Sequence, residues 1–182
     1  MPPFLWQEHA LIAVMKSTKW VGVLSFVLVS SQSWAFDFDK ELEEKPWAEI
    51  EVQLPAFPEK ENLIPFKVGS VSDTKYLIDS KSISIGLDGV VRYTLVVVSA
   101  EGAQTISYEG MRCATVERRF YAFGRSDKTW SKPRSNQWIR IQGSSNNPHV
   151  ELFVNNFCDN KIVSVTSAED ARRVLRNGGI SR

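Results

Sequence analysis

Residues 87–113 read LDGVVRYTLVVVSAEGAQTISYEGMRC, and how they pair decides the fold. Asp88-Gly89 and Ala100-Glu101-Gly102 are turn signals between runs of β-branched and aromatic residues, the pattern of consecutive antiparallel hairpins. The run 90–98 is apolar on nearly both faces, which predicts a central strand covered on both sides. Residues 104–113 return beside it. A further strand over 116–123 pairs back on SYEGMRC, with Ala114 and Thr115 as the turn. That register sets Arg112 opposite Glu117 and Tyr108 opposite Tyr121, both ordinary cross-strand pairs. Gly110, inside the strand, marks a bulge or a close backbone approach. Upstream, KYLID (75–79) and SISIG (82–86) predict two further short strands.

After the sheet the period changes. NNPHVELFVNNFC (146–158) places Val150, Phe153, Val154, Phe157 and Cys158 on one helical stripe, with Asn147 as N-cap and Pro148 in the first turn. A second helix is predicted over 168–177, where Ser167 and Asp170 resemble a capping box and Gly178 is the stop. Arg172, Arg173 and Arg176 near its end suit the helix dipole and read as a solvated face. The fold class is therefore α+β: an antiparallel sheet of hairpins covered by two C-terminal helices.

The first residues carry a different signal. Lys16 and Lys19 precede an apolar run over 20–29 and a polar stretch ending Ser33-Trp34-Ala35, the layout of a secretory signal peptide cleaved before Phe36. The run is too short to span a bilayer, which takes about 20 residues. Residues 1–14 sit oddly ahead of that basic region, so translation is expected to begin at Met15. The domain reading is a targeting segment over 1–35, an acidic arm over 36–62 and a single domain over 63–182. Export sets the redox conditions, so Cys113 and Cys158, the only cysteines, are expected to be bonded in a periplasmic protein. Closing that loop is worth about 4 kcal/mol in the chain-entropy model. The alternative, a Cys113 thiolate activated by Arg112, lacks a nearby base, since His149 is the one histidine left after cleavage.

Charge is uneven along the mature chain. Residues 36–62 hold nine acids against three lysines, and 112–140 hold eight bases against two acids. The arm either docks on the basic segment, with Trp47 and Phe57 as apolar anchors, or stays mobile. Arg118, Arg119, Arg125 and Arg134, with Lys128 and Lys132, interleave with Phe120, Tyr121, Phe123, Trp130 and Trp138. Aromatic side chains alternating with cations bind anionic polymers by stacking and charge. From this set Arg118, Arg119, Tyr121, Arg125, Trp130 and Arg134 are the candidate binding surface. The same pattern also arises when aromatics fill the core and arginines line a rim.

Catalytic motifs are missing from the sequence: it has no Walker loop, no glycine-rich dinucleotide turn, no HExxH and no CxxC. One histidine and two bonded cysteines do not complete a zinc shell, so no metal and no cofactor is expected. Paired carboxylates for glycan hydrolysis, from Glu109, Glu117, Asp79 and Asp88, remain open, because spacing selects no pair.

The phrases ENLIPFKVGS (61–70), YLIDSKSISIGLDGVVRYTLVVVSAEGA (76–103), ISYEGMRCATVERRFYAFGRSDKTWSK (106–132) and FVNNFC (153–158) resemble the cryptic neisserial protein 1-like family of exported bacterial proteins. The resemblance implies an envelope location and pairing of the two cysteines. It supplies no catalytic residues. The reading is a periplasmic, non-enzymatic envelope binding or accessory protein. Its partner is an envelope protein or an anionic envelope polymer, with no nucleic acid and no membrane span after cleavage. The alternatives are a glycan-acting enzyme and a structural component of an envelope complex.

Overall fold

The computed structural model describes residues 46–70 and 73–181. The expected targeting segment, its cleavage site at Ala35 and the start at Met15 lie outside the described residues, as does the beginning of the acidic arm.

The turn residues divide the chain as they predict. Strands β1 (Leu63–Phe66), β2 (Lys75–Ile85), β3 (Val90–Val98), β4 (Gln104–Arg112), β5 (Glu117–Gly124) and β6 (Trp130–Ser131) lie side by side in sequence order, and β7 (Ile139–Arg140) also pairs β5. Every neighbouring pair is antiparallel. At the β3–β4 turn Gly102 takes φ +87°, a conformation that a side chain disfavours. β3 is central and buried along most of its length, as its apolar run requires.

Two registers differ from the sequence reading. KYLID and SISIG form one strand of 11 residues, β2, with a register break between Asp79 and Ser84. The Ser82 hydroxyl accepts the Thr94 N–H at 2.8 Å and donates to the Asp79 carbonyl at 2.9 Å. That hydroxyl replaces missing ladder bonds, so the polar interruption is a bulge and not a turn. On the other side Arg112 does face Glu117, at 3.8 Å between charged atoms, but Tyr108 faces Ala122. One extra residue, Tyr121, enters β5 and shifts the pairing. Its ring covers the bare backbone of Gly110, where a Cβ would lie 2.9 Å from two ring carbons. Gly110 thus marks a close approach, beside the bulge of the opposite strand.

Alternation along the strands gives the sheet two faces. On one, Val91, Tyr93, Leu95 and Met111 join Ile64, Ile78 and Ile83 to meet the C-terminal segments. Helix α1 spans only Pro148–Glu151, capped by Asn147, and continues as a π-helical segment over Leu152–Phe157. Its wider i→i+5 turn rotates the buried stripe. Leu152, Asn156 and Phe157 turn inward, whereas Val154 is 37% exposed and Cys158 has left the helix for β8 (Cys158–Asp159), a short strand paired with β9 (Ile162–Val163). The predicted stripe therefore holds at Val150, Phe153 and Phe157 and fails at Val154 and Cys158.

Cys158 nonetheless reaches the sheet. It is bonded to Cys113, just past β4, with 5.6 Å between Cα atoms. Helix α2 (Ala168–Arg176) completes the cover, with the Ser167 hydroxyl accepting the Asp170 N–H. Its arginines are more engaged than a solvated face would be: Arg172 donates to the Ser80 carbonyl at 2.9 Å, fastening α2 to the β2 bulge. The opposite face of the sheet is covered by residues 46–62.

Candidate functional site

The arm is extended and, between residues 46 and 59, makes no strand pairing. Side chains hold it. The Trp47 indole donates to the Asp88 carbonyl at 2.8 Å and packs edge-on against Trp138, and the Arg112 guanidinium lies 3.6 Å from its ring centroid. The Ile50 N–H donates to the Asp88 carboxylate at 3.1 Å. Further along, Phe57 packs on Trp130, whose indole donates to the Pro55 carbonyl. Trp47 and Phe57 are thus the apolar anchors that the sequence nominated.

Between these anchors Glu49 enters a cationic cluster. Its carboxylate pairs with Arg119 and accepts the Tyr121 hydroxyl, and Arg92 Nη2 lies 3.5 Å away. Arg92 is also held by Asp88, at 2.5 and 3.1 Å. Its side chain is only 4% exposed, so this guanidinium is a buried charge that needs its partners. Burial pushes the Asp88 carboxyl up. The Arg92 hydrogen bond and charge, with the Ile50 and Val90 N–H groups, outweigh that and hold it below its ordinary range. Burial, and then the bond to Glu49, push the Tyr121 hydroxyl well above the usual phenol range, so it stays a donor.

The candidate surface is split by strand alternation. Arg119, Tyr121 and Trp130 lie on the arm-covered face and are already engaged. Arg118 lies on the opposite face, its guanidinium 4.4 Å from the Phe120 centroid. Arg134 is exposed there and lines a groove of about 460 Å³ with Phe120, Phe123, Lys132 and Ile139. Phe120 and Phe123 pack at 4.9 Å and form its floor. Arg125 is brought to neither: it opens the exposed turn before β6, where its N–H bonds the Thr129 carbonyl. Lys128 faces a second groove, beside the end of the arm, with Phe57, Leu77, Val96 and Ile106.

Beside the Phe120 ring lies a buried polar group. Glu109, 1% exposed, accepts Ser107 Oγ at 2.5 Å and the Tyr93 hydroxyl at 3.4 Å, and meets His149 Nε2 at 2.7 Å. His149 Nδ1 faces the Asn147 side-chain oxygen, which also accepts the His149 N–H. The network ties β4 to the start of α1. Of the other carboxylates weighed for glycan chemistry, Asp88 is held by Arg92, Glu117 pairs with Arg112, and Asp79 accepts the Lys81 N–H. No contact joins any two of the four. Among the described residues no group of three or more His, Cys, Asp and Glu side chains is placed to hold a metal, and no helix is long and apolar enough to cross a membrane.

The sequence reading missed Arg92, Glu49 and the Glu109–His149 pair. Arg92 had a visible signal, a guanidinium inside an otherwise apolar strand, which calls for a buried counterion. Glu49 had none, being one acid among nine in the arm.

The model of the CNP1-like family matches residues 42–176. The chain belongs to the CNP1-like family. The match runs from the arm to the end of α2, so the arm, the sheet and both cysteines lie within the matched residues. No curated protein and no solved structure matches the chain.

Proposed function

We propose that this CNP1-like protein is exported to the periplasm and acts there as a non-enzymatic binding protein for an anionic envelope glycan. The observation that carries the reading is the groove beside β5. It has an aromatic floor, Phe120 and Phe123, and cations at its rim, Lys132 and Arg134, with Arg118 stacked on Phe120. Sugar rings pack on aromatic faces, and cations meet phosphate or carboxylate substituents. Export is supported by the signal-peptide pattern ahead of Phe36 and by a disulfide of the kind that persists in oxidising compartments. Residues 1–35 would then be removed, leaving an arm from 36 and the domain over 63–182.

The test is a pull-down from an envelope fraction with the mature chain, beside a titration with a purified phosphorylated envelope oligosaccharide. The expected result is saturable binding that Lys132→Glu with Arg134→Glu weakens at least tenfold. Capture of a protein partner that these substitutions leave unaffected, with no glycan binding, would replace this reading by that of an envelope-complex component.

A further inference from the structure

A second site lies on the opposite face of the sheet from the groove. Arg92, Arg119 and Tyr121 converge on the two oxygens of one carboxylate, that of Glu49. The cluster holds more donors than that carboxylate and Asp88 absorb: Arg92 Nε and Arg119 Nε are both buried and have no acceptor. Buried N–H groups left without acceptors are costly, and native structures seldom keep two in one cluster. We propose that Arg92, Arg119 and Tyr121 form a binding site for a phosphate monoester, and that Glu49 of the arm fills it as a tethered substitute.

Three features support this. A phosphate monoester brings three acceptor oxygens and close to two negative charges, against two oxygens and one charge for Glu49. Arginine is the side chain suited to it, because its planar fork makes paired bonds to phosphate. With Glu49 withdrawn, Arg92 keeps Asp88 while Arg119 loses its carboxylate, and the cluster keeps an excess positive charge. The arm is also built to leave. It contributes no strand pairing before its 3-10 turn at Lys60–Asn62, and Trp47 and Ile50 are substantially exposed, so lifting it breaks a few side-chain contacts and leaves the ladder intact.

The experiment titrates the mature chain and its Glu49→Ala variant with glucose 1-phosphate, inorganic phosphate and acetate, following the arginine Nε–H resonances by NMR. Glu49→Ala is expected to bind glucose 1-phosphate at least tenfold tighter than the unsubstituted chain and at least as tightly as inorganic phosphate, with acetate at least tenfold weaker. Adding Arg119→Ala should abolish the gain. Equal affinity in the two chains, acetate binding as tightly as the phosphates, or a gain that survives Arg119→Ala would each overturn the proposal. Binding of inorganic phosphate alone would overturn the assignment to a monoester. Trp47→Ala, which frees the arm from the Asp88 turn and leaves both arginines in place, gives an independent route to the same comparison. Lys132→Glu with Arg134→Glu should change none of these values, which separates this site from the groove.

Discussion

At the scale of single residues, two buried polar centres define where substitution is costly. His149 and Glu109 join α1 to β4, and removing His149 leaves the buried Glu109 with Ser107 and Tyr93 alone. His149→Ala is expected to cost about 1–3 kcal/mol, because it removes one of the three side chains that hydrogen-bond the buried Glu109. The double variant Glu109→Leu/His149→Leu should recover part of that loss, and a double-mutant cycle by urea denaturation measures the coupling. Asp88 gives a pH signature of definite sign. Its carboxyl is held below the ordinary value of 3.8 in the folded chain, so its stabilising contribution is present in full above about pH 4. It is lost as pH falls through the lowered value. The stability difference between the unsubstituted chain and Asp88→Asn should therefore be flat from pH 5 to 8 and shrink below pH 4. A difference that instead grew on acidification would contradict the Arg92 contact. The two centres were only partly legible from residue types: Arg92 inside an apolar strand calls for a counterion, and Asp88 and Glu109 stood among the candidate carboxylates, but nothing joined Asp88 to Arg92 or Glu109 to His149. The missing information was which strand each side chain would meet, and this depends on register.

At the scale of elements, the sequence located the long strands β2 to β5 but not β1 or the two-residue strands β6 to β9, and it erred where a side chain or a widened turn replaces standard hydrogen bonding. The β2 bulge was invisible because Ser80-Lys81-Ser82 is a plausible turn in composition. Only the Thr94 N–H on the neighbouring strand shows that the Ser82 hydroxyl keeps the strand continuous. The π-helical segment was invisible because hydrophobic spacing at 3.6 residues presupposes an α-helix. The disulfide was the more readable feature, since an even pair of cysteines behind a signal-peptide pattern suffices to expect it. Cys113 is fully buried and Cys158 is 1% exposed, so reductant reaches the bond only when the helical segment detaches from the sheet. Reduction by dithiothreitol should be slow under native conditions and accelerate as urea approaches the unfolding midpoint, as thiol labelling with mass detection reports. Cys113→Ser/Cys158→Ser should cost about 2–5 kcal/mol, the usual loss when a native disulfide is removed.

At the scale of the whole molecule, opposite charge on arm and sheet was evident in the sequence, but not how it would be resolved. Strand alternation sends Arg112 and Arg119 to a face that the arm covers and Arg118 to the other, where Lys132 and Arg134 line a groove that the arm leaves open. These two groups should respond to salt in opposite ways. At the covered face the Arg92–Asp88 pair is almost entirely buried, Glu49 is largely so, and aromatic contacts at Trp47 and Phe57 flank them. Screening acts weakly on buried pairs, and high salt does not weaken apolar contacts. In the groove the rim cations are exposed, so contacts to a polyanion release counterions and weaken steeply with ionic strength. Raising sodium chloride from about 0.1 M to 1 M, where the Debye length falls from about 10 Å to 3 Å, should leave Trp47 fluorescence and the protease resistance of the arm unchanged. The same change should remove most glycan binding at the groove. An arm released by salt would mean that net charge, rather than Glu49 and its anchors, holds it, and the oxyanion site would then stand open at ordinary ionic strength instead of being filled from within.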